Sequence, residues 1–426
     1  MRKMRNSGVE WIGEIPDDWS IMRLRYLCDI ITGNKDTINN NPDGEFPFYV
    51  RSPIIERIDT YTFDGEAILT AGDGVGAGKV FHYIDGKFDF HQRVYCLHNF
   101  KKVDAKFMFY YLKENFYKEV ESGSAKNTVD SIRLPMLLNY MIPIPTSIRE
   151  QKKIAEYLDD KCAQIDCVIQ AKEVTNEKLK EYRQSVIFEA VTRGLNEEVK
   201  TKDSGIEWIR EIPEDWNIIK IKYASTLKGR IGWQGLKAEE FLEDGAYLIT
   251  GTDFEKEKIN WDTCVHISDE RFYEATDIHV KEGDLLITKD GTVGKVAIAE
   301  KCPDRTSLNS GVLLIRPQKS ELYLNKFLLY ILMSDVFWKW FKMSQNGNST
   351  IIHLYQEQFS NFIFPIPENI DEQIKIVDYL DKKCSEIDSV LLANENTIKK
   401  LKEYRQSVIY EIVTGKVEIL DSLKTK

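Results

Sequence analysis

The chain has 426 residues, 42% of them hydrophobic, which fits two to four domains at roughly 100–200 residues each. No run approaches the ~18 consecutive apolar residues of a membrane span. The basic start Met1-Arg2-Lys3-Met4-Arg5 leads into polar residues and not into a secretory signal, and seven scattered cysteines (Cys28, Cys96, Cys162, Cys167, Cys264, Cys302, Cys384) offer neither a Cys-x-x-Cys pair nor zinc spacing, so a cytoplasmic chain without a structural metal or disulfide framework is expected.

The net charge of −10 counts against a phosphate-binding surface, but it is unevenly spread. Residues 20–147 carry 15 basic against 16 acidic side chains, and residues 217–367 carry 18 against 20. Each of these stretches is near neutral and has the means to present one basic face.

In chain order, the first feature is Ser7-Gly8-Val9-Glu10-Trp11-Ile12-Gly13-Glu14-Ile15-Pro16-Asp17-Asp18-Trp19, which returns at 204–216 with ten of 13 positions identical. Residues 20–147 then mix strand-like runs (45–50, 67–70, 79–84, 94–97) with a helix whose aromatic face, Phe107, Tyr110, Tyr111 and Phe116, is expected to be core. Pro145 precedes a long helix predicted over 148–193, and Gly194 follows it as a stop. After the returned motif, residues 217–367 repeat the plan with strands at 247–250, 285–288, 295–299 and 312–315. One helix is expected there, carrying Phe327, Leu328, Ile331, Leu332, Phe337 and Trp338. Pro367 precedes a second long helix over 370–414, followed by Gly415. The helices are themselves a repeat: 27 of 44 positions match between 151–194 and 373–416. The boundaries so drawn are 1–147, 148–194, 195–216, 217–367, 368–416 and 417–426. A duplicated frame carries two different inserts.

The helices keep a seven-residue beat. Leu158, Cys162, Ile165, Ile169, Leu179, Val186 and Ala190 form the first stripe, interrupted by Lys172 and Asn176. Leu380, Cys384, Ile387, Leu391, Ile398, Leu401, Val408 and Ile412 form the second, interrupted by Asn394 and Arg405. At ~1.5 Å per residue each helix is a rod of roughly 65–70 Å, and the two can pair with each other, polar interruptions fixing their register. Tyr157, Tyr182, Tyr379 and Tyr404 lie beside the stripes and are expected to pack there. Leu158, Ile165, Tyr182, Val186, Leu380, Ile387, Tyr404 and Val408 are the coiled-coil and subunit-docking candidates.

Enzyme motifs fail. In the loop Gly72 to Lys79, a phosphate-binding G-x-x-x-x-G-K-[ST] would need glycine at Asp73 and a hydroxyl at Val80, and the second copy fails at Lys289 and Val296. The looser Gly72, Gly74, Ala77 pattern leads into a strand instead of the helix that a dinucleotide site requires. No adenine-methylation motif, nuclease carboxylate cluster or histidine ligand motif occurs. The glycine–lysine loops are better read as tight turns that point Lys79 and Lys295 outward, toward a phosphate or toward solvent.

The lead-in motif at 8–19 and 205–216, Gln151 and Gln373 opening the repeated helices, and the segments Lys180 to Thr192 and Lys402 to Thr414 together resemble the DNA specificity subunit of type I restriction–modification systems, over nearly the whole chain. The resemblance implies an α+β, pseudo-two-fold tandem repeat: two mixed α/β target-recognition domains separated by two long helices that form an antiparallel coiled coil. It implies that each insert reads one half of a split site in double-stranded DNA and that the helices set the distance between the halves. They would also dock two methyltransferase (modification) subunits, and restriction subunits would join. S-adenosylmethionine and ATP with magnesium would be bound by those partners, and this chain would hold no cofactor and no catalytic residue.

Base reading needs Arg, Lys, Asn or Gln in polar loops. In the first insert the candidates are Arg51, Lys79, Gln92, Arg93, Lys126 and Asn127. In the second they are Arg230, Gln234, Lys289, Lys295, Asn309, Asn346 and Asn348, with Trp233 as a wedge or a packing residue. The alternative class is a two-lobed coiled-coil scaffold that binds proteins and no nucleic acid.

Overall fold

The computed structural model describes residues 2–9, 11–123, 131–196, 198–230, 235–345 and 353–419. They form two compact units, Met1–Glu173 with Glu395–Lys426, and Val174–Asn394. The sequence reading set each long helix apart as a segment of its own. In the structure the helices Ile148–Arg193 and Ile370–Val413 each give one half to either unit, so every unit is an α/β domain with two helical halves packed against it.

In the first unit, a hairpin of Met4–Asn6 and Glu14–Pro16 is followed by Trp19–Arg23, which pairs antiparallel with Met141–Pro145 and closes the domain at its base. Six strands form the main sheet in the order Asp29–Thr32, Val94–His98, Phe63–Ala71, Phe81–Phe90, Phe46–Tyr49, Glu56–Ile58. Gly65 and Gly86 lie opposite each other in register, at φ 136° and 141°. Only residues without a Cβ take such angles readily. Three residues separate Phe90 from Val94, yet Val94 pairs with Ala71, far along the ladder. The ribbon must therefore bend back, and the bend brings the turn 91–93 beside the loop that follows Ala71. The helix Ala105–Gly123 lays Phe107, Tyr111, Leu112 and Phe116 in the core, as its aromatic spacing predicts.

The second unit repeats the base, with hairpin Thr201–Asp203 and Glu211–Pro213, and Trp216–Lys220 paired to Ile363–Pro367. Its six-stranded sheet runs Ser225–Gly229, Val312–Pro317, Leu285–Thr288, Val296–Ile298, Lys258–Ile259, Phe254–Glu255, and a separate three-stranded sheet joins Val265–Ile267, Ala246–Ile249 and Thr306–Leu308. The helix expected across Phe327 to Trp338 is two helices, Asn325–Met333 and Asp335–Ser344. Ser334 breaks it: its backbone is extended (ψ 170°) and its hydroxyl accepts from the Val336 amide at 3.2 Å. Serine satisfies a helix N-terminus better than a helix interior.

Within each unit the helical halves run antiparallel. In the first, Ile165 and Ile169 pack with Ile398 and Leu401, and Asp166 meets Arg405 at 3.1 Å. In the second, Asp388 meets Arg183 at 3.0 Å and Asn394 Nδ2 donates to Asn176 Oδ1 at 2.9 Å. Leu158, Ile165, Val186, Leu380 and Ile387 are buried, and Val408 is half-buried. Of the four tyrosines expected to pack, Tyr157 is half-buried against the first unit's core, whereas Tyr182 is 52% exposed, Tyr404 49%, and Tyr379 is exposed as well. A helix turns about 100° per residue, so with Arg183 and Arg405 facing inward their preceding tyrosines face solvent.

Candidate nucleic-acid interface

Both domains are bolted to a long helix by the same side chains. Gln151, fully buried, accepts from the Asp104 amide (2.7 Å) and donates to the Pro145 (2.8 Å) and Lys102 carbonyls (3.3 Å). Its copy Gln373, also fully buried, accepts from the Leu324 amide (3.0 Å) and donates to Leu322 (3.2 Å) and Pro367 (3.3 Å). The indole of Trp19 donates to Glu150 and that of Trp216 to Glu372. Asp159 takes Lys106 Nζ (2.6 Å) and the Tyr110 hydroxyl (2.7 Å), and Asp381 takes Lys326 Nζ and the Tyr330 hydroxyl, both at 2.6 Å. Burial and the neighbouring carboxylate push both phenols far above the usual tyrosine range, so both stay donors. The Lys-x-x-x-Tyr spacing at 106/110 and 326/330 was present in the sequence, but the surrounding divergence hid it.

Loops gather at one end of each sheet. In the first unit these are residues 50–52, the glycine loop 72–80 and the turn 91–93. Arg51 Nη1 meets Asp73 Oδ1 at 2.9 Å, Arg93 Nη1 meets Asp73 Oδ2 at 3.3 Å, and the Gly72 amide donates to the Arg93 carbonyl at 2.7 Å. Gln92 Nε2 donates to Asp36 Oδ2 at 2.7 Å. The turn is held by His91 Nδ1, which accepts from the Arg93 amide (2.9 Å); burial lowers the pKa of this imidazole, which keeps the ring neutral and able to accept. Arg51, Gln92 and Arg93 are thus brought together, and Lys79 stands exposed where the glycine loop ends.

In the second unit the corresponding loops are 250–253, 289–295 and 309–311. The Asn309 amide donates to Ile249 O, the Lys289 amide to Gly311 O and the Leu354 amide to Lys289 O, at 2.8–2.9 Å. Lys295 is exposed, its Nζ 3.5 Å from the Gly251 carbonyl, and Asp290 is paired with His353. Lys289, Lys295 and Asn309 therefore share one end of the sheet. Asn309 Oδ1 accepts from the Ser310 amide at 2.6 Å and from the Ser310 hydroxyl at 3.3 Å.

The glycine before each lysine is required. Gly78 (φ 72°) and Gly294 (φ 86°) lie against the domain's own helices, where an added Cβ would stand 2.7 Å from Val120 Cγ2 and 2.4 Å from the Trp338 ring. Close helix contact, with no bound phosphate needed, explains the glycine pattern.

Arg230 is a correction. It is 2% exposed, and its guanidinium donates to the Leu308 carbonyl (2.9 Å) and to Ser307 Oγ (3.1 Å). It ties the end of Ser225–Gly229 to Thr306–Leu308 of the three-stranded sheet and is not placed to meet a ligand. Lys126, Asn127, Trp233, Gln234, Asn346 and Asn348 lie outside the described residues. Sequence reasoning passed over Asp73 and Asp290, although an Asp-Gly pair opens the glycine loop in both copies. Among the described residues no group of three or more His, Cys, Asp or Glu side chains is placed to hold a metal ion, and no helix is long and apolar enough to cross a membrane.

Residues 16–177 and 213–403 match the family described as type I restriction modification DNA specificity domain. The chain is similar to the EcoBI specificity subunit of Escherichia coli, 23% identical over 98% of this chain and 90% of that protein. It is also similar to the putative MjaX specificity subunit of Methanocaldococcus jannaschii, 24% identical over 96% of each. The Escherichia coli EcoDI specificity subunit is 30% identical, over 45% of this chain and 42% of that protein. Among solved structures, a chain from work on complex assembly and conformational transition of the type I R-M system superposes with a TM-score of 0.69, at 16% identity and covering 95% of this chain and 99% of that one. The HsdS subunit from Thermoanaerobacter tengcongensis gives a TM-score of 0.51, at 16% identity over 97% and 100%. At that identity the structures speak to the fold. With most of its length matched by the family, the chain belongs to the type I restriction–modification DNA specificity subunits, the non-catalytic, target-recognising component of these systems.

Proposed function

We propose that each unit reads one half of a split, non-palindromic site in duplex DNA through the loop end of its sheet. Arg51, Lys79, Gln92 and Arg93 serve one half-site, and Lys289, Lys295 and Asn309 serve the other. The observation that carries this reading is a duplicated frame with unlike tips. The clamp residues Gln151/Gln373, Asp159/Asp381 and Trp19/Trp216 are the same in both copies, while the loops they support present different donors and cations. Identical tips would favour a palindrome, as two-fold readers do; unlike tips favour two different half-sites. The exposed flanks of the long helices, with Tyr182 and Tyr404 repeated on them, are the surface we assign to two modification subunits, and restriction subunits complete the assembly. Those partners supply S-adenosylmethionine, ATP and the chemistry.

Exchanging residues 217–367 for the insert of another family member, followed by mapping of methylated adenines in a host carrying the system, tests the reading. One half of the methylated motif should change and the other should stay. Change in both halves defeats modular recognition. A chain whose binding to duplex DNA does not weaken as salt rises, with or without its modification subunits, is a protein scaffold instead.

A further inference from the structure

We propose that Asp73 is a specificity-determining residue: its carboxylate holds Arg51 and Arg93 together and penalises phosphate, relative to a base edge, as their partner. The inference rests on the reading of this loop end as a DNA-facing surface.

Two guanidinium groups share one carboxylate, Arg51 on Oδ1 at 2.9 Å and Arg93 on Oδ2 at 3.3 Å. Both arginines are largely solvent-facing, whereas Asp73 is only 23% exposed, so the anion sits beneath the cations. Its backbone is fixed as well, by a bridge to Ser131 on one side and the Gly72–Arg93 hydrogen bond on the other. The cluster therefore carries one net positive charge where two would otherwise stand. A DNA phosphate approaching it brings a second anion onto cations that already hold one, and Asp73 repels it. A guanine edge offers the arginine fork two acceptors without net charge, O6 and N7, and meets much weaker repulsion. The carboxylate thus weakens the sequence-independent part of binding more than the part that reads bases. It also fixes the direction of both forks before DNA arrives.

The same position is used again in the second unit. Asp290, opening the matching loop beside Lys289, is paired with His353. The two domains have kept little sequence in common, yet each pairs the carboxylate of its Asp-Gly turn with nitrogen-bearing side chains at the loop end, Arg51 and Arg93 in the first unit and His353 in the second.

The test uses the full chain and two duplexes: one bearing the motif methylated in the host, and one with its first half-site scrambled. In D73N, affinity for the scrambled duplex should rise about 3–10-fold at low salt. Its salt slope should steepen by about one to two, the value for one or two additional phosphate contacts. The matched duplex should gain less, so discrimination falls. D73E, which keeps the charge, should stay close to the parent protein, which separates charge from fold. If D73N binds the scrambled duplex no better, or if D73E loses discrimination equally, the proposal is overturned. If the parent protein itself binds both duplexes alike, this loop end is not a reader, and the functional reading fails together with the proposal.

Discussion

Gln151 shows how little side-chain chemistry is needed to seat a domain on a helix. One buried amide satisfies the Asp104 N–H and the carbonyls of Pro145 and Lys102, groups that sit where irregular chain would otherwise leave them unpaired. Each orphaned buried polar group costs about 1–3 kcal/mol. Gln151→Leu keeps the volume and removes all three bonds. It should lower the stability of the first unit by about 3 kcal/mol or more, visible as an earlier transition in thermal unfolding. Gln373→Leu should do the same to the second unit. A Gln151→Leu chain with unchanged melting would mean that water replaces the amide and that the clamp lies elsewhere, at Asp159. The role was half legible beforehand: the repeat marked Gln151 and Gln373 as opening the helices, but nothing in one dimension pairs a glutamine with an amide 47 residues earlier. For the same reason Arg230 looked like a reader. A polar loop and a strand end have the same composition, and only the fold shows the guanidinium turned in toward Ser307.

At the scale of elements, the seven-residue beat carried both long helices to within a residue of their ends, since caps, prolines and glycines agree with the periodicity. The beat also marked Asn176 and Asn394 as interruptions, though it gave no sign that they would meet. They do, at 2.9 Å in the second unit, with Asn176 buried. A polar pair in an apolar seam sacrifices stability for register. Asn176→Leu alone strands part of its partner and should lower the melting temperature. Asn176→Leu with Asn394→Leu should recover it or exceed it, because apolar replacements of a buried polar pair are often neutral or stabilising. Thermal melts of both single variants and the double variant form the cycle. Strictly additive losses would show that the two side chains act independently, leaving register to Arg183–Asp388 and Arg405–Asp166. The broken helix at Ser334 is the opposite case. Apolar spacing on either side ran on in phase, and a serine tolerated in many helices gave no warning that its hydroxyl would cap a new one.

For the whole molecule the duplication makes a prediction of its own. The first unit is completed by residues 395–413, whose counterpart in the first long helix is residues 173–191, so each copy of the frame contains what the other lacks. A chain ending at Asn196 keeps one domain and one helix and exposes the stripe that Ile398 and Leu401 normally cover. Two such chains can pair in the same antiparallel register, with Leu179 in the place of Leu401 and the polar Asn176 in that of Ile398, because Arg183 stands in the place of Arg405 and so faces Asp166 of the other copy, twice over. The fit is imperfect. Ile412, buried with Ile12 and Ile15 in the native first unit, would be replaced by Ala190, and Tyr410, which donates to the Trp11 carbonyl at 3.1 Å, by Phe188. An Ile-to-Ala cavity costs about 2–5 kcal/mol, and it occurs at both symmetric ends. The expected product is a dimer that forms at high concentration and dissociates on dilution, measured by sedimentation velocity as a concentration-dependent shift to twice the fragment mass. Ala190→Ile should tighten it by refilling the cavity. With two identical tips the dimer should also select a palindromic duplex, unlike the parent chain. A fragment that stays monomeric at every concentration, with Ala190→Ile as without it, would show that the two helical copies have diverged beyond exchange and that the pairing depends on residues outside the repeat.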